Sequence, residues 1–455
     1  DGPDFSSATD ITLDAQQDVE TLGSNEEKFY KFVAPEKAEY LFYSSNASEQ
    51  ADPYITVYSS DGTIVAYDDN TGGDLNFRVS VPMEKGATRY IGVKHSGGKS
   101  GLFYLNILIE CRDTEISCRL RNIGTLLYLD VDDPEYPDQI YQKPYQREAN
   151  AQWTLKRRTD GYYTIRFALA NSCYLGVYNT EITLFASESD QTYWKIYVKS
   201  TGEMFIEPKN AKGKVLYAPS NTSGSALQLT YICKAVSNRN KWKIEYVSNT
   251  PVEGQQRSNW CWVTAARMFA KHYSDDVWLT QEQTVNLVKN SPTNNTPGTT
   301  KDVKKAIEYL IEDTDVAPLV LNDNPGGLDG RIFPEDVLRH FIDDGHVVLA
   351  ARDKYTETMR INGHASLIVG YTGIFGNGEL QFRYIINDPW PANVPSEWND
   401  LQNTEGQTYK KSYGWICNSE KNKSSEETSD NRIWVGYVVA DTDYADETCP
   451  PDMNS

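Results

Sequence analysis

Three residue types in this chain of 455 residues stand where their neighbours would make them reactive: a cysteine, a histidine and an aspartate. Cys261 ends the stretch Gln255-Gln256-Arg257-Ser258-Asn259-Trp260-Cys261, where a polar loop gives way to an apolar-faced helix. Trp262, Ala265, Ala266 and Phe269 fall at i, i+3, i+4 and i+7, one stripe of a helical period. Ser258 or Asn259 is the expected N-cap, which puts Cys261 in the first turn. There the free N–H groups and the positive end of the helix dipole favour a thiolate, the nucleophilic form of cysteine. A buried cysteine in a tryptophan-rich core helix is the bland alternative.

His364 opens the apolar run Ala365–Tyr371, and Asp388 follows the run Gln381–Asn387. If these are strands of a hairpin centred on Gly376, His364 faces Asp388 and Asn387 points to the opposite face. A bulge would exchange Asp388 for Asn387. A carboxylate beside an imidazole orients it and keeps it basic, so Cys261, His364 and Asp388 together would form a nucleophilic site. The oxyanion that such a site generates needs donors. The Cys261 N–H and the Gln255 side-chain amide are the candidates, with Gln256 one residue nearer.

These residues must be positioned by more than one core, because a chain of this length is expected to divide into two to four domains. The net charge of −20 argues against nucleic acid or an anionic membrane as a partner. No apolar run is long enough to span a bilayer. The chain opens without a basic-then-apolar segment, so any signal peptide is expected to lie outside this numbering. Seven cysteines suggest an oxidising, extracellular setting with three pairs and one remainder. Position groups them as Cys111–Cys118, Cys173–Cys233 and Cys417–Cys449, leaving Cys261 as the free thiol, although sequence leaves the connectivity open. His95, His272, His340 and His346 are expected to have structural or surface roles.

Residues 1–110 alternate aromatic and β-branched runs with Gly, Asp and Asn turns, as an all-β sandwich would. The stretches Asp52-Pro53-Tyr54-Ile55-Thr56-Val57-Tyr58, Ala66-Tyr67-Asp68-Asp69-Asn70 and Gly101-Leu102-Phe103-Tyr104-Leu105 resemble the bacterial pre-peptidase C-terminal domain. Some members of that family bind calcium, for which Asp61, Asp68, Asp69 and Asp74 would supply oxygens; a solvated turn is the other reading. Residues 111–248 carry a threefold repeat marked by Trp153, Trp194 and Trp242, at intervals of roughly 45 residues. Units too small to bury a core singly imply a β-trefoil, and the pattern resembles the ricin type. That resemblance implies sugar contacts at Asp130 with Tyr141, while Gly176 and Ala218 occupy the comparable places of the other repeats. The tryptophans are expected to be core.

From 249 to 455 helices precede strands, an α+β order. Gln255 through Cys261-Trp262, Gly363-His364-Ala365 and Asn387-Asp388-Pro389-Trp390 resemble the three blocks of papain-like cysteine peptidases, closest to the AvrRpt2-type and C39-like branches. The resemblance implies Cys261 as nucleophile, His364 as general base and then acid, Gln255 as oxyanion donor and Asp388 as orienting group. It leads us to expect a secreted, monomeric endopeptidase acting on protein or glycoprotein substrates, without a cofactor and with glycan targeting through the trefoil. Two alternatives remain open: transglutaminase-like acyl transfer, which shares the order Cys, His, Asp, and a lectin or adhesin whose peptidase domain is inactive.

Overall fold

The computed structural model describes residues 3–22, 26–133, 139–144, 151–170, 173–234, 236–311, 316, 318–321, 335–355, 360–391, 398–412 and 432–440. The chain divides into two compact units: residues 1–144, 150–245 and 373–381 in one, and 145–149, 246–372 and 382–455 in the other.

The first unit begins as the expected sandwich. One sheet runs Thr9–Ile11, Lys28–Val33, Thr88–His95, Pro53–Tyr58 and Ile64–Asp68. The other runs Gln16–Leu22, Gly101–Glu110, Ala38–Ser45 and Arg78–Met83. Phe32 of the first sheet meets Tyr40 and Phe42 of the second edge-on, and all three rings are fully buried. Alternating runs place such rings on one face of each sheet, and burying them there is what joins the two.

The repeats then build a closed barrel. Glu115–Asn122, Gln152–Arg157, Tyr163–Phe167, Tyr193–Val198, Met204–Pro208 and Trp242–Val247 pair in a ring. Three hairpins cap it: Tyr128–Val131 with Ile140–Lys143, Tyr174–Tyr178 with Glu181–Phe185, and Lys214–Tyr217 with Gln228–Tyr231. This is the β-trefoil arrangement. Trp153, Trp194 and Trp242 are fully buried, and each indole N–H donates to the carbonyl of a hairpin leucine: Leu129 at 3.0 Å, Leu175 at 2.8 Å and Leu216 at 3.0 Å. The repeat therefore preserves a buried hydrogen bond as well as a volume.

Sandwich and trefoil share one unit because strands and charges cross between them. Tyr197 and Val198 pair with Glu110 and Ile109. Arg78 makes a two-pronged bond to Glu207 at 2.7 and 2.8 Å, and both side chains are buried.

The expected bridges Cys111–Cys118 and Cys173–Cys233 do not form. The Cys111 thiol donates to Asp113 at 3.7 Å, and that of Cys233 donates to the Gly73 carbonyl at 3.4 Å. Cys173 stands before a hairpin strand of the second repeat, whereas Cys233 follows one in the third, so chain order grouped residues that the barrel holds apart. Cys417 and Cys449 lie outside the described residues. With neither bridge formed among the described residues, pairing does not single out Cys261.

In the second unit, helices α1 (Cys261–Tyr273), α2 (Gln281–Lys289), α3 (Thr300–Leu310) and α4 (Glu335–Asp343) accompany a sheet. Thr280 and Gln283 make the expected capping box on α2, and Thr299 with Asp302 repeats it on α3. Strand Arg432–Ala440 pairs with Pro318–Leu321 on one side and Val348–Tyr355 on the other. Val348–Tyr355 pairs in turn with Arg360–Gly376, the strand that carries His364, and Glu379–Asp388 pairs with Gln407–Ser412. Helix α1 is buried on most sides against Val303, Ile307, Leu349, Leu367 and Ile385, so its N-terminus is fixed by the core rather than by a surface face. Among the described residues, no helix is long and apolar enough to cross a membrane.

Trp153→Ala removes a fully buried indole together with its bond to Leu129. We expect a loss of about 3–5 kcal/mol in the stability of the first unit, measured by chemical denaturation.

Candidate active site

Cys261 is the first residue of α1, and its N-cap is Trp260, not Ser258 or Asn259. Those two are taken by another loop: the Asn259 side chain donates to the Asn295 carbonyl at 2.9 Å, and Ser258 Oγ accepts from Asn295 Nδ2 at 3.2 Å. No side chain caps the helix, and its first turn holds no acid. The N–H groups and the positive dipole end are therefore left for whatever charge develops at the cysteine.

The preceding loop is held from three directions. The Gln255 N–H donates to the Pro389 carbonyl at 2.9 Å, which ties the nucleophile loop to the segment just after Asp388. Gln281 Oε1 accepts from the Gln256 N–H at 3.0 Å, and its Nε2 donates to Gly254 at 2.8 Å. The Trp398 indole donates to the Gln256 carbonyl at 2.9 Å. The Gln255 side chain is fully buried, and its Nε2 donates to the Arg257 and Ser258 carbonyls at 2.9 and 2.8 Å, while Oε1 has no partner among the described residues. Its amide protons thus shape the turn into α1, and an oxyanion would have to share one of them.

His364 and Asp388 come from adjacent strands, but not through the register counted on Gly376. The turn is Asn377–Gly378, with φ of 50° and 87°, the left-handed pair that an Asn-Gly two-residue hairpin favours. That shifts the pairing frame. The side chains converge all the same: His364 Nε2 lies 2.7 Å from Asp388 Oδ1. Asn387 does point away, donating to the Thr250 carbonyl at 3.1 Å and accepting from Thr408 at 2.9 Å. The pairing with Val348–Tyr355 shifts between Arg352↔His364 and Lys354↔Ile361, so the strand that carries His364 holds one extra residue beside it, a bulge that adds local twist where the imidazole must be aimed.

Asp388 accepts three bonds. Oδ1 takes His364 and the Trp390 N–H at 2.8 Å, and Oδ2 takes the Tyr409 hydroxyl at 2.7 Å. The Trp390 ring sits edge-on to His364 at 6.2 Å and covers the pair. With Nε2 turned to Asp388, the other ring nitrogen is left for Cys261, whose thiol feels both His364 and the Ala365 backbone. Burial pushes the Cys261 thiol up, but the bond and charge of His364 and the Ala365 N–H outweigh it and hold the thiol below its ordinary value. For His364, burial disfavours the charged ring, yet the charge and bond of Asp388 and the contact with Cys261 raise it to about 9. Burial likewise opposes ionisation of Asp388, and His364, Trp390 and Tyr409 reverse it to about 2. Near neutral pH His364 is therefore held as an imidazolium and Asp388 as a carboxylate, and the Cys261 thiol beside them is biased toward its thiolate.

The other sequence candidates lie elsewhere. Asp130 is 1 % exposed; Oδ1 accepts from the Val131 N–H at 2.7 Å and Oδ2 lies 3.9 Å from Lys143. Burial raises its carboxyl to about 6. Tyr141, paired opposite, is half-buried and donates to Gln139. Asp61 caps its own turn through Ser59 and Thr63, Asp68 accepts the N–H groups of Thr71 and Arg78, Asp69 lies 3.4 Å from Ser96 and Asp74 pairs with Lys234. Among the described residues, no three His, Cys, Asp or Glu side chains converge as metal ligands would. His95 and His272 bond to backbone carbonyls, and His346 meets Tyr273. Sequence reasoning missed Tyr409, Asn295, Gln281 and Trp398; all four act through tertiary pairing, and no local pattern marks them.

Residues 236–416 match the model of the Peptidase_C39 like family, which supports a cysteine-type peptidase. No curated protein matches the chain. Three solved structures resemble parts of it. A designed threefold-symmetric protein, ThreeFoil, is 21% identical over 28% of this chain and 95% of its own, with a TM-score of 0.25. The Rhizoctonia solani agglutinin is 19% identical over 28% of this chain and 91% of its own, with a TM-score of 0.23. The pre-peptidase C-terminal domain of a Bacillus anthracis collagenase is 13% identical over 22% of this chain and 93% of its own, with a TM-score of 0.20.

An anionic alkylating agent senses both members of the thiolate–imidazolium pair. Iodoacetate is expected to modify Cys261 readily near neutral pH, and the rate should fall as the imidazolium loses its proton near pH 9. Burial pushes the Cys111 thiol to about 12 and the Cys233 thiol to about 11, so both should stay unlabelled. Peptide mass spectrometry of the labelled sites checks this.

Proposed function

We propose that the second unit is a papain-like cysteine endopeptidase that hydrolyses peptide bonds through a thioester at Cys261. The observation that most supports this is the buried 2.7 Å contact of His364 with Asp388, on an imidazole that also holds the Cys261 thiol below its ordinary value. In this reading the thiolate adds to the carbonyl carbon and drives the C=O electron pair onto oxygen. The oxyanion meets the Cys261 N–H at the uncapped helix end, with the Gln255 amide as the second donor we assign. His364 gives its proton to the amide nitrogen as the C–N bond breaks, releasing the amine and leaving the thioester. Water then adds to the thioester as the neutral imidazole takes its proton. Collapse of that adduct expels the thiolate and the acid product, with the imidazolium restored.

We assign the work of this site to protein or glycoprotein substrates outside the cell, which suits the acidic chain. A sugar role for the trefoil draws no support from Asp130, because a buried carboxylate engaged by Val131 is closed to a ligand.

Incubation with a mixed protein substrate tests the proposal. Cys261→Ala and His364→Ala should abolish cleavage while leaving the near-UV circular dichroism intact. Asp388→Ala should lower kcat/KM on the order of 10²-fold and Asn387→Ala by much less. Incorporation of a labelled amine into substrate in place of new termini would indicate acyl transfer instead. Glycan binding that survives when Cys261 resists every thiol reagent would indicate a lectin.

A further inference from the structure

Asp388 offers two oxygens, and a carboxylate held at one alone can turn, because the terminal torsion of aspartate is soft. Oδ1 carries the His364 and Trp390 bonds, and Oδ2 has the Tyr409 hydroxyl at 2.7 Å. Tyr409 lies on Gln407–Ser412, where Gln407 pairs with Asp388 and Tyr409 with Ile386. Residues two apart share a face, so Tyr409 sits on the Asp388 side of the sheet, at the diagonal distance a long aromatic can cross. Its neighbour Thr408 pairs with Asn387 and bonds to it at 2.9 Å on the opposite face. One pair of strands thus carries two side-chain bonds of similar length, one on the site and one off it.

We propose that Tyr409 is a positioning residue of the catalytic centre: its hydroxyl fixes the plane of the Asp388 carboxylate, and thereby aims His364 at Cys261. The inference rests on the cysteine-peptidase reading. With the hydroxyl gone, the carboxylate turns more freely, the imidazolium loses a fixed partner and its proton is held less tightly. Tyr409→Phe keeps the ring and its packing, while Thr408→Val removes the off-site bond next door and serves as the control for mere loosening of the strand pair.

The test is the pH dependence of Cys261 alkylation by iodoacetate in the full chain, together with kcat/KM per titratable Cys261, which corrects for any unfolded fraction. Tyr409→Phe should move the alkaline limb down by about one pH unit and lower kcat about tenfold with KM little changed. Thr408→Val should leave limb and kcat near the parent's. A limb in Tyr409→Phe that overlies the parent's, or an equal shift in Thr408→Val, overturns the proposal while leaving the peptidase reading intact. A parent protein whose Cys261 titrates as an ordinary thiol with no alkaline limb overturns both.

Discussion

The candidate site of the second unit depends on keeping an imidazole and a carboxylate charged and in contact away from water. Burial opposes the charge on His364 and on Asp388 separately, and only their mutual contact, with the donors around it, reverses both tendencies. The arrangement is therefore all-or-none. An imidazole without Asp388 would be a buried neutral ring, and a carboxylate without His364 would be a buried charge held only by the Trp390 N–H and the Tyr409 hydroxyl. Cys261 is the third member, and its thiolate is favoured by the imidazolium and by the uncapped end of α1.

The scaffold serves that contact by fixing three separate pieces of backbone. Helix α1 is embedded on nearly every side, so the position of its first residue is a property of the core. The nucleophile loop and the segment after Asp388 are joined directly, through the Gln255 N–H and the Pro389 carbonyl. Asn295, Gln281 and Trp398 hold the same loop through side chains drawn from three other segments. Leaving the helix uncapped costs some helix stability, and the expected cappers, Ser258 and Asn259, are spent on the loop instead. The N-terminal N–H groups are left without a side-chain cap.

Much of this was legible in the sequence where the signal is local. The stripe of Trp262, Ala265, Ala266 and Phe269 is helical and buried, the Thr280 box forms, and the tryptophan repeat gives a trefoil. These features rest on period and spacing within a few turns or strands. Signals that depend on tertiary placement were not legible. The hairpin turns at Asn377–Gly378 because that dipeptide tolerates two left-handed residues in succession, a stronger constraint than symmetry about Gly376. Cys173 and Cys233, grouped by chain order, flank hairpins of different repeats. Tyr409 reaches the site only because Gln407–Ser412 pairs beside Asp388, and nothing in Thr408-Tyr409-Lys410 announces that.

In the proposed reaction Cys261 forms a covalent acyl-enzyme. Intact-mass analysis of protein quenched in acid during turnover of an activated peptide ester tests it most directly. A population heavier by the acyl group, mapped to Cys261 and released by hydroxylamine as a thioester would be, is the expected result. Turnover with no adduct, or undiminished turnover after Cys261 has been alkylated, would contradict it.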